Sequence, residues 1–318
     1  MANLTVVTGF FLMGFSNTWE LQVLHAILFL LIYLVALMGN ILIFTLISLD
    51  GKLHTPMYFF LKNLSFLDLC FISITVPKSI ANSLSHSYSI SFWGCVSQLF
   101  LMMLSVASEL FLLTVMFYDC YVAIFKPLHY DVIMTRGACV RMAAVSWLSG
   151  GLFGALHSAS TFTLLFCGSK KTPQFFCDVP SLLRISCSNS YLAADVSLAI
   201  GVGIGVFCCV YIIISYTHVF STVLKIPTTE GRSKAFSTCL PHLIIIVVFI
   251  TTGLIAYLKP PQESDSVIDL LLSMFYTVVP PTINPVIYSL RNKDMKTALM
   301  KLIACKYFSK RLIPKSFP

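Results

Sequence analysis

Asp68 and Glu109 are carboxylates set inside otherwise apolar runs of the sequence, near residues 57 to 79 and 95 to 120. An ionisable group surrounded by hydrocarbon is expensive and faces a bundle interior or a water-filled cavity. Two such acids brought together cannot both ionise without a counter-charge. They therefore need either that charge or protons and polar neighbours to bond. Nucleophilic chemistry has thinner support. His157-Ser158 and His242 supply the residue types of a base and a nucleophile, but no His-Glu-x-x-His, nucleophile elbow or second intramembrane aspartate accompanies them. Lone histidines in apolar segments bond backbone or hydroxyl groups, so an intramembrane protease is disfavoured. A channel needs a polar stripe or a ring of charge, and away from their ends the spans offer only these two acids.

Apolar helices have to carry these groups. The chain is 57% hydrophobic and 11% charged, whereas a soluble domain carries about 25% charged residues. No Asp, Glu, Lys or Arg occurs in Leu21–Leu49, Met142–Ser169, Val196–Leu224, Ala235–Leu258 or Leu270–Leu290. Each interval is long enough to span, since a bilayer core takes about 20 helical residues. With the runs holding Asp68 and Glu109, this makes seven spans and an all-α membrane bundle. An N-out reading places 16 of the 21 Lys and Arg at inner ends, loops and tail, leaving Lys78, Lys170, Lys171, Arg184 and Lys259 outside. The formal charge of +8 is thus a topology signal, with attraction of the tail to anionic lipid, and not a mark of nucleic-acid binding.

The first 22 residues lack a basic n-region and a small-residue cleavage site, so the first span is expected to serve as its own insertion signal. Asn3-Leu4-Thr5 is a glycosylation sequon on the expected outer side; Asn63-Leu64-Ser65 falls inside the second span and should stay bare. Of eleven cysteines, Cys95, Cys167, Cys177 and Cys187 lie in expected outer segments, where disulfides are permitted and three pairings are open. The others suit small buried hydrophobes. The reading is one domain over 1–318: an extracellular N-terminus (1–22), a bundle (about 23–290) and a cytosolic tail (291–318). The outer segment from about Phe166 to Tyr191 reads as a stapled cap. Pro241, Pro280, Pro281 and Pro285 each remove a backbone donor and weaken a helix, which suits a bundle that switches. Seven spans do not divide into the inverted repeats of many transporters.

On the third span, Leu99, Met102, Met103, Val106 and Ala107 recur at i, i+3, i+4, i+7 and i+8. They share one helical face, which either lines a pocket or packs helices together. The unbranched methionines would let a pocket adapt to several shapes.

Longer motifs carry a resemblance. They are Leu53-His54-Thr55-Pro56-Met57-Tyr58-Phe59-Phe60-Leu61, followed by Asn63-Leu64-Ser65-Phe66-Leu67-Asp68; Gly39-Asn40; Lys234-Ala235-Phe236-Ser237-Thr238-Cys239 with His242, where Pro241 replaces a usual serine; and Pro280-Pro281-Thr282-Ile283-Asn284-Pro285-Val286-Ile287-Tyr288. With Met116-Phe117-Tyr118-Asp119-Cys120-Tyr121-Val122-Ala123-Ile124 they resemble olfactory receptors, a branch of the rhodopsin-like G-protein-coupled receptors, from about Phe10 to about Ile303.

That resemblance implies Cys95–Cys177 and Cys167–Cys187 bridges. It implies an odorant pocket in which the third-span face meets Ile200 and Ile204, Leu254 and Tyr257, and Met274 and Thr277. Such a pocket takes a small hydrophobic volatile through area removed from water, with the Tyr257 and Thr277 hydroxyls orienting it. It implies a sodium ion on Asp68, Glu109 and Asn284, where hydrogen-bonded carboxyl groups are the alternative. It also implies a stimulatory olfactory-type G protein as partner, a plasma-membrane place in sensory cilia, and a switch through Asp119, Cys120, Tyr121, Tyr216, His242, Asn284, Pro285 and Tyr288. A short amphipathic tail helix follows, with Cys305 open to palmitoylation. The large departure is Cys120, where the family has arginine; a receptor that binds but couples weakly is the competing reading.

Overall fold

A computed structural model of the chain describes residues 8–13, 18–85, 87–167, 170–172, 174–188, 191–225, 243–248, 250–251, 267–291 and 294–302. Asn3, His242, Leu254, Tyr257 and Cys305 lie outside these residues.

The fold is an all-α, seven-helix membrane bundle. The first five spans are α1 (Trp19–Leu49), α2 (Pro56–Ser85), α3 (Phe92–Phe125), α5 (Arg136–Phe162) and α7 (Leu192–Lys225), and the last is α8 (Val267–Arg291). Between them lie the short helices α4 (Tyr130–Ile133) and α6 (Val179–Arg184). Of the sixth span, residues 243–248 and 250–251 are helical, and residues 294–302 form a further helix after α8. Local chemistry sets the starts. α2 opens on Pro56, where a missing N–H costs little. Ser91 accepts from the Gly94 amide at 3.1 Å to cap α3, and Thr135 accepts from Ala138 at 3.3 Å to cap α5.

α2 and α3 are the buried centre, while α1, α5 and α7 turn large apolar side chains such as Leu31, Met38, Leu148, Leu152 and Phe207 outward. That outward apolar surface fits hydrocarbon, where only helices with internally satisfied backbones survive. α5 lies close against α3 because Gly150 and Gly154 face it. A Cβ on Gly150 would collide with Ser108 Oγ and the Leu104 carbonyl, and one on Gly154 would stand 2.8 Å from the Phe100 carbonyl oxygen. Small residues four apart permit this approach where no hydrophobic effect drives helices together.

Prolines interrupt α8 at Pro280, Pro281 and Pro285, and Pro77 interrupts α2. Pro285 has no N–H to give the Pro281 carbonyl. Asn40 Nδ2 on α1 donates to that carbonyl at 2.8 Å and to the Ala36 carbonyl at 3.0 Å, so the broken helix is repaired from its neighbour.

One end of the bundle carries the disulfides. There β1 (Gly9–Leu12) lies between β2 (Ser89–Ser91) and β3 (Lys171–Thr172), antiparallel to the first and parallel to the second. Alternation along β1 sends Phe10 and Leu12 inward and Phe11 out. Phe10 rests against the rings of Phe92, Phe162 and Phe166, with centroids 6.3, 6.4 and 5.3 Å away. The interior divides into an apolar cluster at this end and another around Asp119 at the opposite end.

Candidate functional site

The bundle's polar centre is built by α2, α3 and α8. Asn284 Nδ2 donates to both Asp68 oxygens, at 3.2 and 3.0 Å, and to Glu109 Oε1 at 3.2 Å. All three side chains are buried. The helices thus bring together two acids that are 41 positions apart in sequence. Turning the Asn284 amide through 180° puts Oδ1 where Nδ2 stands. The same three side chains therefore serve a hard cation with oxygens or a pair of carboxyl groups with an N–H. The chemistry of the donor set fits a single sodium ion. Among the described residues there is no cluster of three or more His, Cys, Asp and Glu for a more demanding metal.

Toward the disulfides, Leu99, Met102 and Met103 are buried in one cluster with Phe175, Phe176, Val179 and Leu182 of the capping segment, and Val106 and Met274 pack against it. Ala107 is buried one turn further. Thr277 is fully buried, and its hydroxyl donates to the Met274 carbonyl at 3.2 Å. Ile204 is half-buried. Ile200 is 42% exposed. Helical phase is the reason: the buried line of α7 runs through Ala194, Ser197, Cys208 and Ile212, and Ile200 lies off it.

The cap is tied to this face covalently. Cys95 is bonded to Cys177 and Cys167 to Cys187, with Cα atoms 5.5 and 5.8 Å apart. Gln98, one turn below Cys95 and unremarked in the sequence reading, accepts from the Cys177 amide at 2.9 Å and donates to the Ile74 carbonyl at 3.0 Å. The available signal was its amide in an apolar span, which must find partners. Asp178 caps α6 through the Ser181 amide at 3.3 Å. Burial pushes its carboxyl up to about 6, against the pull of Ser181 and Arg184.

At the opposite end, Asp119 Oδ1 accepts the Tyr130 hydroxyl of α4 at 2.7 Å. Burial and that contact hold the Tyr130 phenol well above its usual range, so it is the donor. Among the described residues no cation pairs with Asp119. Cys120 is 4% exposed and belongs to the cluster that holds Met116, Phe117, Tyr216, Ile245, Ile246 and Tyr288. Tyr216 meets Phe117 edge-on at 5.8 Å, and Tyr121 stacks on Phe125 at 4.6 Å. Pro285 packs on Gly39, whose added Cβ would lie 2.9 Å from the Pro285 Cβ. Apart from His242, the expected switch residues are thus distributed over the polar centre and this end.

Known sequences resemble the chain along nearly its whole length. The olfactory receptor family profile matches residues 29–306. Olfactory receptor 14A16 of Homo sapiens is 61% identical over 310 residues, covering 98% of this chain and 100% of the relative. Olfactory receptor 14A2 of Homo sapiens is 60% identical over 307 residues, 96% of this chain and 98% of the relative. Olfactory receptor 1G1 of Gorilla gorilla gorilla is 47% identical over 301 residues, 95% and 96% respectively. With a family match along most of its length and relatives aligned nearly end to end, the chain belongs to the olfactory receptor family.

Proposed function

We propose that the disulfide half of the bundle takes a small, mostly hydrophobic odorant and that α3 relays its binding to a stimulatory heterotrimeric G protein at the Asp119 end. Family membership makes the chain a multi-pass membrane receptor and not an enzyme. The observation that carries the finer reading is the layout of α3. Between Cys95 and Cys120 one helix bears, in order, a disulfide, the apolar face Leu99 to Ala107, Glu109 in the polar cluster, and Asp119. In this reading the disulfides face an oxidising exterior and the basic tail faces the cytosol of a sensory cell, at its plasma membrane.

An odorant that loses about 200 Å² of apolar surface to such a pocket gains about 5 kcal/mol at 25 cal/mol per Å². That is enough for weak, broad recognition. Asp68, Glu109 and Asn284 would hold a sodium ion, which would supply counter-charge to the resting state. Asn284 and Tyr288 of α8 and Tyr216 of α7 repack when the ligand favours the other state, and its differential affinity sets the shift.

A cyclic AMP assay with an odorant panel tests this reading at measured surface density. Met103→Asp and Val106→Asp abolish the response of normally expressed receptor. Unchanged responses in both would locate the pocket elsewhere.

A second reading concerns coupling strength. The Asp119 carboxylate is engaged by a tyrosine, and Cys120 lies in an apolar cluster. A thiol offers none of the five directed N–H donors of a guanidinium. We propose that this receptor folds and binds but couples weakly.

A further inference from the structure

Where α1 and α8 meet the helix at 294–302, the surface holds a groove of about 140 Å³, whose lining includes Val35, Gly39, Leu42, Thr282, Val286 and Lys296. It lies on the outside of the bundle: Val35 is 49% and Val286 45% exposed. Its floor is the contact between Gly39 and Pro285, close enough that any side chain on Gly39 would fill it.

The lining decides what sits there. Apart from Thr282 and Lys296, every lining residue is apolar, and the Thr282 hydroxyl already donates to the Val278 carbonyl at 2.7 Å. A held water needs two to four polar partners, which this groove does not offer. Hydrocarbon does fit, and in a bilayer it is the solvent at this depth.

Charge selects among hydrocarbons. Lys301 is bonded to Asp50 Oδ2 at 3.1 Å, whereas Lys296 at the groove's mouth has no ion pair among the described residues. We propose that the groove binds one acyl chain of an anionic phospholipid, with the lipid phosphate on the Lys296 ammonium. The site bears on function through α8. Thr282 and Pro285 line the groove, while Asn284 between them bonds Asp68 and Glu109 on the interior. A lipid that binds one setting of these turns better than another shifts the receptor's equilibrium by that difference.

Native mass spectrometry of the full chain, released from nanodiscs of phosphatidylcholine with phosphatidylserine, tests the proposal. Wild type retains phosphatidylserine in preference to phosphatidylcholine. Lys296→Gln lowers that retention by about fivefold, the usual worth of one basic residue at an anionic surface. Val35→Trp, which fills the groove from its exposed rim, lowers retention of both lipids, and Lys301→Gln leaves it near wild type. Equal retention of the two lipids by wild type overturns the proposal. So does an unchanged ratio in Lys296→Gln, or an equal loss in Lys301→Gln, which would signify a diffuse basic surface. Should Lys296→Gln fail to fold, Val35→Trp decides alone, and retention unchanged there refutes the site.

Discussion

At the disulfide end, β1 is paired on both edges, Cys95 is bonded to Cys177, and Gln98 reaches from the Ile74 carbonyl to the Cys177 amide. At the Asp119 end the interior is an apolar and aromatic cluster, tied by the Tyr130 to Asp119 bond and, further out, by Lys301 to Asp50. Covalent and directional links hold one geometry. Apolar contact is roughly proportional to area and non-directional, so side chains at the second end can exchange neighbours at small cost. In the proposed function the shaped end recognises and the repackable end responds.

Breaking the covalent link should produce the largest effect. Cys95→Ser opens a loop with a sequence separation of 82, a loss of about 4.5 kcal/mol in the chain-entropy account. Surface expression and thermal unfolding in detergent measure it. Near-normal stability would mean that the sheet and Gln98 hold the cap without the bridge.

The next effect is a pH dependence confined to the same end. The Asp178 carboxyl is raised from 3.8 to about 6, chiefly by burial, so the folded cap holds that proton more tightly than the unfolded chain. Its stabilising contribution is complete below about pH 4 and is lost as pH rises through about 6, amounting to up to about 3 kcal/mol. Hydrogen exchange over residues 178–184 should therefore accelerate across that window beyond its intrinsic pH dependence. Asp178→Asn, which keeps the cap acceptor, flattens the excess.

The seam shared by both ends comes third. Gly150→Val drives a side chain into Ser108 and the Leu104 carbonyl and should cost about 2 kcal/mol by overpacking. Gly203→Val on α7, where nothing lies within 4 Å of an added Cβ, is the matched control. Equal thermal stability of the two variants would remove the seam from the account. The smallest change expected is Asn40→Ala, which orphans the Pro281 carbonyl. About 1 kcal/mol is lost, read as a lower unfolding temperature with the cap's hydrogen exchange unaltered.

The spans were legible because a charge-free interval is a direct record of hydrocarbon. Leu21–Leu49 became Trp19–Leu49 and Leu270–Leu290 became Val267–Arg291. Met142–Ser169 fared worse: α5 begins at Arg136 and ends at Phe162, because Thr135 caps its start and the uncharged residues after Phe162 belong to the loop. Charge marks the membrane, and caps mark the helix. Residue types flagged Asp68 and Glu109, and family motifs supplied Asn284 and the bridges. The β1 sheet, the Asn40 repair of Pro281 and the Tyr130 to Asp119 bond were not legible, since each joins segments whose relative register no single-segment pattern encodes.

In the proposed function, recognition and coupling occupy different ends, and Cys120 weakens only the second. Odorant affinity and G-protein nucleotide exchange, measured on wild type and Cys120→Arg at matched surface density, separate the two. Affinity should be unchanged while exchange rises roughly tenfold or more, since charge-assisted hydrogen bonds contribute about 1.5 to 3 kcal/mol. Exchange equal in the two proteins, or an affinity change as large as the exchange change, would refute the division.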